Sequence, residues 1–208
     1  MPPTRLEGLT KLTLETAPAV CHECIWWQTR GRREGDKDRW MERAELEFGA
    51  FGTIYYDGDG RVLGSMQYGP AALFPRAGEL PSGPPSDDAM LVTCAYLIDT
   101  TSPWVLQSLF LAAIGEARER GSKAVEAFAY RYAEGESTYE RFHVHKTIFP
   151  GDFLGDFGFR IVRSAGRVGL ARLDLGGLVP ATETVREKAL RLAKQALVPE
   201  PVPAPRRP

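Results

Sequence analysis

The sequence contains few cysteines, has no long apolar run and carries almost no net charge. Three cysteines in 208 residues are too few, and odd in number, for a disulfide framework. No run approaches the roughly 20 apolar residues that a membrane span needs. A formal net charge of −1 provides no global basic field to attract nucleic acid. We therefore expect a cytoplasmic protein with neither membrane nor nucleic-acid partners, and the first five residues lack the layout of a secretory signal.

The first half of the chain predicts a strand, two helices and a hairpin. Weak alternation over residues 9–17 predicts the first strand, which Pro18 closes. Residues 19–28 and 36–48 are expected to be helical. The Asp-Gly pairs at 57–60 suit a tight turn between strands at 51–56 and 61–68, because such turns require positive φ values.

The central segment predicts a strand, a helix and a second strand. Residues 90–98 are continuously apolar, as expected of a strand that is covered on both faces. Ser102 is a suitable N-cap, Pro103 a suitable first helical residue, and Gly121 a suitable stop. Residues 123–130 form the second buried strand. Such short connections indicate a right-handed parallel crossover.

The C-terminal third predicts an antiparallel strand pair, a helix and a tail. The strands are expected at 159–163 and 168–175, and a capping box formed by Thr184 and Glu187 begins the helix. The predicted organisation is a single domain over residues 1–180, a C-terminal helix over 181–198 and a Pro-rich tail over 199–208.

Four groups of short motifs occur along the chain. They are Gly-Ser-Met-Gln-Tyr-Gly-Pro at 64–70 followed by Phe-Pro at 74–75, Cys-Ala-Tyr-Leu at 94–97, Pro-Gly-Asp-Phe-Leu at 150–154 followed by Gly-Phe-Arg at 158–160, and Cys-Ile-Trp-Trp at 24–27. In their order they resemble the GNAT superfamily of N-acetyltransferases, and the resemblance covers residues 9–175. It implies an α/β fold with a mixed, mostly antiparallel sheet and a central parallel strand pair flanked by helices.

The resemblance also implies an acyl-coenzyme A-dependent N-acyltransferase, most simply one that transfers acetyl from acetyl-CoA to a primary amine. The acceptor would be a small molecule or a peptide, no metal would take part, and a homodimer is possible for such a protein. The main chain of Tyr96, Leu97 and Ile98 would bind the pantetheine arm. The start of the following helix would hold the pyrophosphate with Ser102, Trp104, Val105, Leu106 and Gln107.

This helix start departs from the family pattern. Ser102, Trp104 and Leu106 stand at the three positions where the family has small residues, chiefly glycines. Glycine there allows close approach of a phosphate. The alternative is that Ser102 caps the helix and that no phosphate binds. A non-catalytic ligand-sensing or interaction module of the same fold is therefore the second hypothesis for the protein.

Two residues of the second buried strand are the candidate catalytic groups. Glu126 interrupts an apolar strand, and burial would bring a carboxylate towards the range useful for a general base. The alternative is an ion-paired structural glutamate. Tyr130 ends the same strand, at the cleft or as a core tyrosine. Phe153 and Leu154 stand near the position of the family's tyrosine acid and cannot donate a proton, which leaves the general acid open and catalysis by positioning alone possible.

The segment Cys21-His22-Glu23-Cys24 leaves three interpretations open. It is a pair of structural helix cysteines, a metal site with His143 and His145, or a redox pair. The spacing lacks a second close ligand pair, so we expect it to be helical and metal-free. A metal-organised binding protein is the third hypothesis. Aromatic side chains at Trp26, Trp27 and Trp40 belong to the core or line an acceptor pocket, and Arg30–Arg33 is expected to be a solvated loop.

Overall fold

The computed structural model describes residues 4–29, 36–98, 103–133 and 147–176. The described residues all belong to one compact unit, which ends at Gly176. In chain order the elements are β1 (Arg5–Gly8), α1 (Lys11–Leu14), α2 (Ala19–Glu23), α3 (Lys37–Glu47), β2 (Gly52–Tyr56), β3 (Val62–Pro70), β4 (Ala89–Leu97), α4 (Pro103–Glu119), β5 (Ala124–Tyr130), β6 (Phe149–Pro150), α5 (Gly151–Asp156), β7 (Arg160–Ala165) and β8 (Val168–Asp174). None of the helices described here is long and apolar enough to cross a membrane.

The strands form one sheet in the order β1-β2-β3-β4-β5-β8-β7. All neighbouring strands in this order are antiparallel except β4 and β5, which are parallel and lie on either side of α4 in the chain. The short strand β6 also pairs parallel with β5. The expected fold class, a mixed and mostly antiparallel sheet with a central parallel pair flanked by helices, is confirmed.

Two apolar layers cover the sheet, one on each face. The first joins α4 and α5 to side chains such as Met66, Val92 and Leu97. The second joins α1 and α3 to side chains such as Ile54, Leu91 and Phe128. Because neighbouring residues of a strand point to opposite faces, Leu91 and Val92 belong to different layers. A strand between two such layers is apolar throughout, which explains the unbroken run that predicted β4.

The N-terminal prediction is wrong in two respects. Residues 9–17 form no strand; the first strand is β1, and α1 follows it. Thr10 caps α1, since its side chain accepts from the main-chain N–H of Thr13, while the Thr13 hydroxyl accepts from the N–H of Thr10. Threonine side chains that bond local main chain favour helix starts over strands. The helix expected over 19–28 is also shorter, because Cys24 is already extended with a ψ of 115°.

Several expected features lie outside the described residues. They are the helix at 181–198, the tail at 199–208, His143, His145, the arginines at 30–33 and the cap residue Ser102.

Candidate functional site

A bulge at Thr93 divides β4 into two parts. On the β3 side, Gln67 pairs with Cys94 and Tyr68 pairs with Val92, so Thr93 is an extra residue in β4. The buried Thr93 hydroxyl donates to the main-chain oxygen of Gln67 over 3.0 Å. An extra residue bends a strand and increases its twist. Pairing of β4 with β5 ends at Val92, immediately before the bulge, so the two parallel strands part there.

The second part of β4 therefore has an edge that β5 does not cover. The main-chain N–H of Ile98 donates to the oxygen of Leu63 in the direction of β3. Main-chain groups alternate between the two edges of a strand, so Tyr96 also faces β3, whereas Ala95 and Leu97 face the edge that is not paired with β5. Of the expected cofactor-binding triplet, the main chains of Tyr96 and Ile98 therefore face β3, and that of Leu97 faces the other edge together with Ala95.

The far side of this opening is formed by β6. The β8 strand pairs along the whole of one edge of β5, from Ala124 to Tyr130. On the other edge, β4 occupies the first four residues and β6 pairs with Ala129 and Tyr130. A slot therefore lies between the edge of β4 at Ala95 and Leu97 and the short strand Phe149–Pro150. A slot of this kind offers hydrogen bonds to an extended ligand, because strand edges carry unpaired main-chain groups.

The first turn of α4 lies at the same end of β4 as the slot, since only five residues join Leu97 to the helix. Trp104 and Gln107 are exposed, whereas Val105 and Leu106 are buried in the layer beneath the helix. The side chains of Val105 and Leu106 are therefore not accessible to a ligand, and these two residues can contact one only through their main chain. A Cβ at Gly64 would lie 3.1 Å from the Val105 side chain, so the absence of a side chain there lets the helix approach β3 closely.

On the opposite face of the sheet, a cavity of about 120 Å³ opens against the same part of β4. Its floor is formed by Ser65 and Gln67 of β3 and by Cys94 and Tyr96 of β4. Thr147, just before β6, also lines it, so the cavity adjoins the slot. The cavity holds about four waters at ~30 Å³ each, which corresponds to a small ligand.

The roof of the cavity comes from the N-terminal helical region. Cys21, Cys24, Trp27 and Gln28 contribute to it. The Gln28 side-chain amide donates to the Gln67 side-chain oxygen over 3.1 Å and ties the roof to β3. Trp27 is 1% exposed, and its indole N–H has no acceptor within the described ranges. A buried donor without an acceptor lowers the stability of the fold, and at a cavity wall such a donor is a candidate ligand contact.

Lys37 is the one cation among the described residues that line the cavity. Its Nζ donates to the main-chain oxygen of Cys24 over 2.8 Å and lies 4.7 Å from the ring centroid of Trp40. Burial lowers the pKa of the Lys37 ammonium below its ordinary value, against smaller opposing influences of the three cysteines. Burial likewise raises the pKa of the Cys94 thiol to about 12, so this thiol stays protonated near neutral pH.

Glu126 lies outside the slot and the cavity. It is fully buried at the paired end of β5, opposite Leu91. Its carboxylate accepts from the main-chain N–H and the hydroxyl of Ser86, both over 2.7 Å, and from Arg172 over 3.1 Å. These contacts correspond to the ion-paired structural alternative for Glu126. They attach the loop before β4 to β5 and give the carboxylate no path to a ligand in the cavity.

Tyr130 lies at the C-terminal end of β5, where its ring contacts that of Tyr132 with centroids 4.8 Å apart. It lines a different cavity, of about 530 Å³, together with residues of the β7–β8 hairpin. Phe153 and Leu154 are buried against α4. The family's usual acid position is therefore occupied by core side chains in this chain, and catalysis by positioning stays a prediction.

The cysteine segment is divided by the end of a helix. Cys21 to Glu23 are helical, whereas Cys24 is not. No group of three histidine, cysteine or carboxylate side chains that could hold a metal ion occurs in the part of the chain that the structure describes. The cysteine pair instead shares the cavity with Cys94, which the sequence pattern did not indicate.

Comparison with known proteins gives a likeness of structure. No family model and no curated protein matches the sequence. In structure the chain is similar to an N-acetyltransferase from Staphylococcus aureus Mu50, at 14% identity and a TM-score of 0.48 over 83% of this chain and 98% of that one. It is similar to a GCN5-related N-acetyltransferase from Kribbella flavida, at 14% identity and a TM-score of 0.47 over the same shares. A third is the yncA protein of Salmonella typhimurium, a candidate acetyltransferase solved with its cofactor acetyl-CoA, at 15% identity and a TM-score of 0.46 over 85% of this chain and 96% of that one. The likeness to these acetyltransferases concerns the fold.

Proposed function

We propose that the protein is an acyl-coenzyme A-dependent N-acyltransferase, with acetyl-CoA as the simplest donor and a primary amine as acceptor. The observation that carries the proposal is the slot beside Ala95 and Leu97. The pantetheine arm is an extended chain with two amide groups, so it can add to the uncovered edge of β4 like a short strand. The edge offers the N–H and C=O of both residues in one plane.

The pyrophosphate is assigned to the first turn of α4. The main-chain N–H groups of Trp104 and Val105 have no acceptor further back within the helix, because intrahelical bonding begins with the N–H of Leu106, and the helix dipole favours an anion at this end. Side chains of Trp104 and Gln107 flank the position, where the family has a more open loop. Acyl-CoA thus enters from the α4 face, and its thioester reaches the sheet where β4 and β5 part.

The acceptor amine is assigned to the cavity on the opposite face. Its nitrogen, once it has lost the ammonium proton, attacks the thioester carbonyl carbon. A C–N bond forms, the C–S bond breaks, and the proton of the attacking amine ends on the coenzyme A sulfur. The products are an N-acyl amide and coenzyme A. Alignment of the two reactants from opposite faces is the main source of rate in this scheme.

The assignment of the helix start predicts a charge effect on coenzyme A binding. Gln107→Glu places a carboxylate near the first turn, because helical side chains point towards the N-terminus. Two anions about 4 Å apart in water repel by ~1 kcal/mol, so we expect coenzyme A affinity to fall about fivefold in calorimetric titration. The melting temperature of the variant should equal that of the wild-type protein, since Gln107 is exposed.

A matched control lies one helical turn further on. Leu111→Glu adds the same charge to the same face, at a residue that is 60% exposed, but more than 5 Å further from the first turn. We expect its effect on affinity to be less than twofold. Equal losses in the two variants would indicate a general charge effect and would contradict the assignment of the pyrophosphate.

A further inference from the structure

The cavity is lined by two hydrogen-bond donors, Lys37 and Trp27, and by no carboxylate among the described residues. Lys37 Nζ bonds one main-chain oxygen and forms no ion pair with a carboxylate of the described residues. Asp36 and Asp38 flank it in sequence, but Asp36 caps α3 through the N–H of Arg39, and Asp38 lies 3.6 Å from Lys11. Trp27 lines the same cavity, and its indole N–H has no acceptor among the described residues. No described lining residue carries a carboxylate.

The position of Lys37 is unfavourable for stability. It is the first residue of α3, and a cation at a helix N-terminus is opposed by the helix dipole. Its ammonium is also partly desolvated, which disfavours the charged form. A residue that costs stability at a cavity wall is typical of a binding site. Trp27 and Lys37 both line one small cavity, and an indole N–H together with an ammonium would suit an anion.

We propose that the acceptor is a small amine that also carries a carboxylate, and that Lys37 and Trp27 bind this carboxylate in the cavity. This inference rests on the proposed function and names its substrate class. The volume of about 120 Å³ corresponds to a molecule of amino-acid size. A polycationic acceptor would meet the Lys37 ammonium in a cavity with no carboxylate among its described lining residues. The carboxylates of Glu23, Asp36 and Asp38 lie with Lys37 around a separate surface cavity. The recognised feature is thus an anion held at a fixed distance from the reacting nitrogen.

The test compares amines in pairs that differ only in the carboxylate. The probes are glycine, L-alanine, β-alanine and 4-aminobutyrate, each beside its carboxamide, so that the distance between amine and anion varies. Release of coenzyme A thiol from acetyl-CoA is the readout. We expect kcat/KM for at least one carboxylate to exceed that of its amide by at least tenfold, mainly through KM. A preference for the amides, or no transfer to any probe by protein that binds coenzyme A, would overturn the inference.

Three variants test whether Lys37 and Trp27 cause the preference for the carboxylate over the amide. Lys37→Met should remove it by raising KM for the carboxylate member, with little change for the amide and no fall in melting temperature. Lys37→Arg should retain most of it, because the charge remains. Trp27→Phe deletes only the indole N–H and should raise the same KM about threefold. Lys123→Met, at an exposed lysine that does not line the cavity, is the control and should leave both KM values unchanged.

The outcomes separate this inference from the proposed function. Loss of kcat for both members of a pair in Lys37→Met, with KM unchanged, would indicate proton transfer by Lys37 and would overturn the anion assignment. A preference that survives in Lys37→Met would overturn it as well. Failure of the wild-type protein to bind coenzyme A would instead refute the acyltransferase itself.

Discussion

Replacement of Glu126 by alanine is expected to lower the free energy of unfolding by about 3–5 kcal/mol, as is usual when one partner of a buried ion pair is removed. The substitution leaves Arg172 without its buried partner and Ser86 without an acceptor for both its donors. Glu126→Gln keeps an acceptor for Ser86 and should cost less, about 1–3 kcal/mol. Chemical denaturation of both variants gives the measurement.

The same variants decide between a structural and a catalytic glutamate. If Glu126→Gln remains folded, its kcat and the pH dependence of kcat should match those of the wild-type protein. Asp174→Ala is the control, because it removes an exposed carboxylate from the same Arg172 and should destabilise far less. A stable Glu126→Gln protein with a large loss of kcat would restore Glu126 as the general base.

Replacement of Leu97 by proline is expected to lower coenzyme A affinity about tenfold relative to Leu97→Ala. Both substitutions remove the same buried side chain. Only proline removes the main-chain N–H, which faces the slot and not β3. Proline is tolerated where a strand's N–H is not part of the ladder, and Leu97 ends β4. One lost hydrogen bond of about 1.4 kcal/mol corresponds to the tenfold effect.

The Leu97 pair has its own control in the neighbouring residue. Tyr96→Pro removes an N–H that faces β3, so it should lower the melting temperature and not act on coenzyme A selectively. Calorimetric titration and thermal denaturation distinguish the cases. If Leu97→Pro and Leu97→Ala bind coenzyme A equally well, the pantetheine does not use this edge of β4.

The fold was predictable where local signals and burial agree. The unbroken apolar run of β4, the proline near the start of α4 and Gly121 at its end together indicated the parallel crossover. Residues 9–17 were predicted to form a strand, but their weak alternation of apolar residues is outweighed by the helix cap that Thr10 and Thr13 form. Short polar side chains compete with strand formation in ways that periodicity does not register.

The site was less predictable, since it depends on contacts between distant segments. The bulge at Thr93 changes which main-chain groups face the slot, and nothing in the composition of β4 marks one residue as extra. Lys37 and Gln67 meet at the cavity only through the packing of α3 against the sheet. Glu126 was correctly singled out as a polar residue in an apolar strand, but its partner Arg172 lies 46 residues further on.

The most direct test of the central claim is calorimetric titration of acetyl-CoA and of coenzyme A into the wild-type protein. We expect saturable binding of one ligand per chain for both, weakened by added salt because the pyrophosphate contributes electrostatically. The binding should weaken in Leu97→Pro and persist in Leu97→Ala. Absence of binding at millimolar ligand would contradict the acyltransferase assignment.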